Sequence, residues 1–289
     1  MDQFSPIFSR FTLSARVFYT GTLCGATQFE KRPGIGHLHL LHKGCLTVSK
    51  PNILKSSVSK QAISKQGIQS IEVTEPSVIF YPRPFEHRFR AKRQQGAELV
   101  CAEIDFGVGM GNPLVSSLPE VMIIPLQKIT GLKTLLELLF DEAFANRYGR
   151  QAAVDRLTEY FLVLLLRYAI DTNLISVGVF AGLSDPRLAK AINAMHEKPE
   201  YLWSLENLAD KANMSRTRFA VNFKQIVGVT PLDYLTGWRV SVAQTLLKRG
   251  QPLKMVAPNV GYGSAIALTR VFNKRVGMSP AKWLESLIV

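Results

Sequence analysis

Between about residues 11 and 125, apolar positions come in short runs broken by turn residues; from Gly131 onward they recur at three- and four-residue intervals. The first pattern predicts strands. Arg16–Thr20, His37–Leu41, Leu46–Ser49, Val78–Tyr81 and Leu99–Phe106 read as short β-runs, punctuated by Pro82, Pro84, Gly107, Gly109 and Gly111. Their spacing predicts an antiparallel barrel or sandwich. Ser49 to Gln69 is rich in Lys, Ser and Gln and predicts a long exposed loop. The second pattern predicts helices. Leu132, Leu135, Leu136, Leu139 and Phe140 share one helical face, and a second run covers Ala152 to Ala169, giving an antiparallel helix pair. Residues 171–186, with Gly178, Gly182, Ser184 and Pro186, read as a linker. Everything beyond is helical in period. The fold class expected is α+β: a barrel over 1–125, a helix pair over 126–170, a linker over 171–186 and an all-α domain over 187–289.

The all-α region contains an internal repeat. At a shift of 49 residues, Ser215, Phe219, Phe223, Gly228, Pro231, Tyr234 and Leu235 fall on Ser264, Leu268, Phe272, Gly277, Pro280, Trp283 and Leu284. At a shift of 48, Leu208, Ala209 and Asn213 fall on Val256, Ala257 and Gly261, so one residue is extra, and Gly263 is the candidate. Small Ala209 and Ala257 let two helices cross closely. Asn213 and Gly261 are the residue types that take the left-handed conformation of a sharp turn. Ser215 and Ser264 supply N-cap hydroxyls, Gly228 and Gly277 stop the new helix, and Thr230-Pro231 and Ser279-Pro280 start the next. Helix, tight turn and capped second helix make a helix-turn-helix unit, present here twice.

Charge sharpens this picture. The 289 residues hold 35 basic and 22 acidic side chains, and Asp185 to Val289 alone holds 15 basic against 7 acidic, a net +8. Such an excess attracts polyanions, nucleic acid first. Cys24, Cys45 and Cys101 are an odd, widely spaced set that argues against a disulfide framework or a thiolate metal knuckle. The start lacks the layout of a signal peptide, and the longest apolar run, Phe161 to Leu166, is far below the roughly 20 residues that span a bilayer. These features predict a cytoplasmic protein without membrane contact.

The tail resembles the DNA-binding domain of the AraC/XylS family of bacterial transcription regulators. The matching stretches are Asn207-Leu208-Ala209 through Met214-Ser215-Arg216, Phe223-Lys224, Gly228 through Leu235, Trp238-Arg239 and Gly277-Met278-Ser279-Pro280. Pro76 through His87, with Asn112-Pro113-Leu114 and Leu118-Pro119, is similar to the cupin-type sensor domain of one branch of that family. The resemblance implies a sequence-specific regulator that binds double-stranded DNA, senses a small-molecule effector, forms a homodimer through the helix pair and works with RNA polymerase, as an activator or a repressor. It implies no cofactor.

On that resemblance the second helix of each unit enters the major groove. Ser215, Arg216, Thr217, Arg218, Ala220, Val221 and Lys224 would form the first DNA-reading surface. Ser264, Ala265, Ile266, Thr269, Arg270, Lys274 and Arg275 would form the second, with Lys274 and Arg275 on the phosphate backbone. Family members usually carry a polar residue where Val221 stands and a smaller one where Ile266 stands, so the readout is expected to be more apolar. Pro258 falls within the first helix of the second unit, where a helix interior costs about 3 kcal/mol, and predicts a partly distorted second unit. In the front domain, His37 and His39 form an HxH and His87 follows a turn. Metal-binding cupins pair such histidines, but the carboxylate expected a few residues later is replaced by His42 and Lys43. Packed strand histidines are therefore preferred, no metal is assigned, and His39 and His87 are candidates for effector contact. The alternative from a different class is a cupin-type metal-dependent enzyme with a nucleic-acid-binding tail, for which no nucleophile–base–acid set is present.

Overall fold

The computed structural model describes residues 13–51, 61–63, 68–107, 115, 117–172, 174–175 and 177–287. It divides into two compact units: Ser14–Asp105 with Glu120–Tyr168, and Phe106–Pro119 with Ala169–Val289.

The first unit is built on two five-stranded antiparallel sheets. One contains β1 (Ser14–Leu23), β3 (Ile35–Gly44), β7 (Ser77–Tyr81), β9 (Ala97–Asp105) and β10 (Met122–Pro125), in the order β1-β9-β3-β7-β10. The other contains β2 (Gly25–Phe29), β4 (Leu46–Pro51), β5 (Gln61–Ile63), β6 (Ile68–Val73) and β8 (His87–Ala91), in the order β2-β8-β4-β6-β5. The core combines side chains of both sheets: Ile79, Tyr81, Leu99 and Cys101 from one, Leu46, Val48 and Phe89 from the other. Every residue of β7 is buried, which is why it reads as the continuous run Ser-Val-Ile-Phe-Tyr. Four of the five strand runs seen in the sequence lie within these elements, and Leu99–Phe106 overruns the end of β9 by one residue. The stretch from Ser49 to Gln69 is a correction: both of its ends and Gln61–Ile63 are strand, and its remaining residues lie outside the described ones.

Two helices follow, α1 (Lys133–Phe144) and α2 (Arg150–Asp171). α2 lies along β1, an edge strand whose outer backbone groups need partners. The N–H of Val17 donates to Asp155 Oδ1 at 2.7 Å and that of Ala15 to Glu159 Oε1 at 3.3 Å, while Gln151 Nε2 donates to the Val17 carbonyl at 2.8 Å. Val154, Phe161, Leu162 and Leu165 of α2 are buried, whereas Leu138, Phe144 and Tyr160 stay exposed on the pair.

The second unit is helical: α3 (Val179–Ser184), α4 (Pro186–Glu197), α5 (Leu205–Lys211), α6 (Arg216–Val227), α7 (Pro231–Lys248), α8 (Leu253–Asn259), α9 (Ala265–Val276) and α10 (Pro280–Glu285). Residues 171–186, read as a linker, contain α3, whose Val179, Phe180 and Leu183 are buried. A Cβ on Gly182 would come within 2.7 Å of Ile192 and 2.8 Å of Val227, so this glycine lets α3 sit close on α4 and α6. The segment is thus part of the helical core; its Gly and Ser mark close packing, which composition does not distinguish from a free spacer.

Candidate nucleic-acid interface and sensor-domain histidines

The two repeat copies fold alike. α5 and α8 have seven residues each, and α6 and α9 have twelve. In the first turn Asn213 has φ 52°, and the N–H of Met214 reaches back to the Ala209 carbonyl at 3.0 Å. In the second, Gly261 has φ 76°, and the N–H of Tyr262 reaches the Ala257 carbonyl at 2.9 Å. These bonds keep the 48-residue shift, while the caps keep the 49-residue one: Ser215 accepts from the N–H of Arg218, Ser264 from that of Ala267. The extra residue is therefore Gly263, between Tyr262 and the cap. Gly228 and Gly277 end the second helices at φ 86° and 83°, and Thr230 and Ser279 cap α7 and α10 with proline at the first helical position.

The expected distortion at Pro258 does not occur. α8 matches α5 in length because Pro258 occupies its last turn and is exposed, so the missing N–H removes one bond at a frayed end and the turn's bonds all form beyond it.

Each second helix buries one face and exposes the other. Phe219, Phe223 and Val227 of α6, and Leu268 and Phe272 of α9, are core. On the opposite side Ser215, Arg216, Thr217, Arg218, Val221 and Lys224 are exposed, with Ala220 half-buried. On α9, Ser264, Ile266, Arg270, Lys274 and Arg275 are exposed, with Ala265 and Thr269 half-buried. Val221 is 59% and Ile266 67% exposed, unusual for large aliphatic side chains; at the 49-residue shift Val221 falls on Arg270 and Ile266 on Thr217, so they stand at different points of the two helices. Among the described residues, Arg216, Arg218, Lys224, Arg270 and Lys274 have no ion-pair partner. Two of the expected contact residues are committed internally. Thr269 Oγ1 donates to the Ala265 carbonyl at 2.8 Å. Arg275 donates to the Asp233 carbonyl at 2.9 Å and pairs with the Asp233 carboxylate.

α7 joins the copies. It has the longest buried face of the unit, including Tyr234, Trp238, Ala243 and Leu247. His196 stacks on Trp238 with ring centroids 3.6 Å apart and shares a 2.6 Å hydrogen bond with the Tyr234 hydroxyl. Arg239 Nε donates to the Pro199 carbonyl at 2.7 Å and Nη2 to the Tyr201 carbonyl at 2.8 Å, and its guanidinium lies 5.6 Å from the Tyr262 ring centre. Arg239 and Arg275 thus tie α7 to the second copy; neither tie has a local sequence signal.

In the sheet unit, alternation along β3 sends His37 and His39 to the same side, and β8 of the facing sheet supplies His87. The ring nitrogens of all three lie within 4.8 Å of one another, and His39 Nε2 is 2.8 Å from His87 Nε2. His87 Nδ1 faces the Phe85 carbonyl at 3.0 Å. A carbonyl only accepts, so the His87 proton sits on Nδ1 and its Nε2 carries a lone pair. His37 Nδ1, His39 Nδ1 and the Tyr81 hydroxyl are buried without a partner. Each such group costs about 1–3 kcal/mol. Burial, then the neighbouring histidines, holds His39 well below the usual imidazole range, and burial brings His87 down to about 4. The trio is therefore neutral near pH 7.

Two cavities open on this unit. One of about 970 Å³ is lined by Leu126, Ile129, Leu132, Leu136, Phe140 and Phe144 together with Lys43 and Lys133. His42 stacks on Phe140 at its wall and pairs with Glu98 at 3.0 Å. The other, about 740 Å³, is lined by Arg16, Gln28, Phe29, Arg32, His37 and Glu103 among others. His39 and His87, expected to contact an effector, line neither cavity; His37 does. No described helix is long and apolar enough to cross a membrane.

Residues 2–171 match a cupin family and residues 208–286 a helix-turn-helix domain family. An uncharacterized HTH-type transcriptional regulator of Haemophilus influenzae is 30% identical over 283 residues, 89% of each chain. A Streptomyces antibioticus chain described as an AraC-like transcription regulator is 30% identical over 67% of this chain and 65% of its own. The chain belongs to the AraC family. Among solved structures, the DNA-binding domain of AdpA in complex with a target DNA is similar at 33% identity, covering 35% of this chain and 92% of that one, with a TM-score of 0.33.

As an AraC-family regulator with an N-terminal cupin domain, the protein binds DNA through its helix-turn-helix domain, and its relatives carry the names of regulators, not enzymes. Of the residues that the resemblance implies for DNA contact, most lie exposed on α6 and α9, Ala220, Ala265 and Thr269 are half-buried, and Arg275 and the Thr269 hydroxyl turn to partners within the protein. The approach of His87 to the HxH, which the likeness to metal-binding cupins offered as one alternative, follows from β8 facing β3, and β8 is too short to carry a run of its own.

Proposed function

We propose that α6 and α9 read consecutive major-groove turns on one face of the duplex, about 34 Å apart along its axis. Arg216, Thr217, Ala220 and Val221 face bases in the first, and Ala265, Ile266 and Arg270 in the second. Val221 and Ile266 contact thymine methyl groups, which hydrogen-bonding side chains read less well. Arg218, Lys224 and Lys274 neutralise phosphates and supply the salt-dependent part of the affinity. The observation that carries this reading is the exposed face of each of two identically capped helices, which bears a large aliphatic side chain and cations without an ion-pair partner among the described residues.

In the same reading the cupin unit senses a small-molecule effector in one of the cavities described above, and the exposed Leu138, Phe144 and Tyr160 on α1 and α2 serve homodimer formation. The protein acts in the cytoplasm as an activator that engages RNA polymerase. The test is selection of random duplex DNA by the full-length protein at two salt concentrations. Enrichment of two elements spaced by one helical turn, rich in A·T pairs where Val221 and Ile266 would lie, is expected. Binding that vanishes with salt and enriches no sequence would overturn it.

A further inference from the structure

We propose that the cavity between α1 and the adjoining ends of β3 and β9 binds an uncharged, planar, apolar small molecule. This names the cavity and the chemical class for the effector-sensing reading above, and it rests on that reading for its consequence. The cavity, about 970 Å³, has the size of a site for a drug-sized molecule. Its walls are Leu126, Ile129, Leu132, Leu136, Phe140 and Phe144, and among the described residues none from the second sheet lines it. A local irregularity of β3 shapes one wall. β3 pairs with β9 through Leu41–Leu99 and next through Lys43–Glu98, so His42 is an extra residue in the ladder. Such a bulge re-aims a side chain, and the His42 ring lies on Phe140 with centroids 4.1 Å and planes 21° apart. Phe144 follows at 24° to Phe140 and is 43% exposed at the cavity mouth. Three near-parallel rings on one wall accept a further planar ring, offset-stacked or edge to face.

Charge decides the class of molecule. Glu98 is held by His42 at 3.0 Å and Lys43 at 3.7 Å, and Asp141 by Arg147 at 2.8 Å. Lys133 and Glu137 stand one helical turn apart with opposite signs, so neither charge prevails at the rim. An ionised ligand would give up hydration here without meeting a free counter-charge, whereas an uncharged one exchanges water for apolar wall. The 740 Å³ cavity, with Arg16, Arg32 and Glu103 on its wall, has the opposite character. Position on α1 separates the site from the face proposed for dimer formation. At about 100° per residue, Leu138 lies roughly opposite Leu136 and Phe140 around the helix. Phe144 belongs to both surfaces, so an occupant of the cavity alters the apolar area offered to a second copy. That shared ring is the route from ligand to assembly.

The test titrates full-length protein with a neutral diethylaminocoumarin, whose emission changes in apolar surroundings, and with its carboxylate analogue. The expected result is saturable binding of one neutral dye per chain, with the carboxylate weaker by about tenfold or more. Leu136→Glu puts a charge on the half-buried wall and should weaken the neutral dye by about tenfold or more. Thr130→Trp fills the mouth from an exposed position, guards against a folding failure of the first variant and should also weaken binding, with unchanged circular dichroism. Leu202→Ser removes an 82%-exposed side chain of the helical unit and should leave binding unchanged. A wild-type protein that binds no neutral dye, binding that survives both cavity substitutions, loss of binding in Leu202→Ser, or a carboxylate that binds equally well overturns the proposal. Dye capacity per chain that falls as protein concentration rises assigns the cavity to a second copy and overturns it too. Adding the selected duplex DNA separates this proposal from the reading it rests on. Dye held in the cavity with DNA affinity unchanged keeps the site and refutes effector sensing there, whereas DNA binding without dye binding refutes the site alone.

Discussion

Gly261 turns the chain between α8 and α9 at φ 76°, and a Cβ built on it falls 2.6 Å from Arg239 Nη2 and 3.0 Å from the Glu200 carbonyl oxygen. Gly261→Ala therefore meets two costs. Left-handed backbone costs a residue with a Cβ about 1–2 kcal/mol. The Glu200 carbonyl is backbone and cannot swing aside, so the Arg239 guanidinium must retreat from the Pro199 and Tyr201 carbonyls. Hydrogen bonds to a charged group are worth about 1.5–3 kcal/mol, and because Arg239 is half-exposed water recovers part of that. The sum expected is about 2–4 kcal/mol. Gly263 provides the control: it is two residues away, its Cβ meets nothing within 4 Å and its φ is not left-handed. Gly263→Ala should stay within about 0.5 kcal/mol of wild type. Urea unfolding followed by tryptophan fluorescence reads the difference, because all three tryptophans, Trp203, Trp238 and Trp283, lie in the helical unit. Equal stability of the two variants would refute the reasoning and mean that Arg239 adjusts without cost.

Three further outcomes are expected. Ser215→Ala and Ser264→Ala should each cost the helical unit about 1 kcal/mol by the same unfolding assay, and the glycine variants only a few tenths. Lys274→Ala should reduce the salt slope of DNA binding by about 1, whereas Arg275→Ala, whose guanidinium is held by Asp233, should leave the slope alone and lower the unfolding midpoint. Val221→Ala and Ile266→Ala should leave stability within about 0.5 kcal/mol, both side chains being exposed, yet weaken binding to the selected sequence by about 1–3 kcal/mol in competition titrations; a loss equal on unrelated DNA would argue against base contact.

Much of the DNA-binding half was legible without coordinates because its signals are local. A cap hydroxyl, a left-handed glycine or asparagine and a stop glycine act within four residues of their partners, so Ser215, Asn213 and Gly228 could be read singly and confirmed by their copies at Ser264, Gly261 and Gly277. Even the misjudged Pro258 turned on a local quantity, its distance from the end of α8. The strands were legible as runs, but their pairing was not, since a strand carries no mark of its neighbour. Only the tertiary structure decided that β3 and β8 face one another and bring His87 to His39 across 48 residues of sequence, that Asp155 and Glu159 cap the edge of β1, and that the segment containing Gly182 is core and not linker. Arg275 makes the same point within the helical half: the resemblance implied a phosphate contact, and only the fold shows that its position beside the start of α7 pairs it with Asp233. Local backbone preference is written in the residue itself, whereas a long-range contact depends on loop closure and packing that no single stretch of sequence contains.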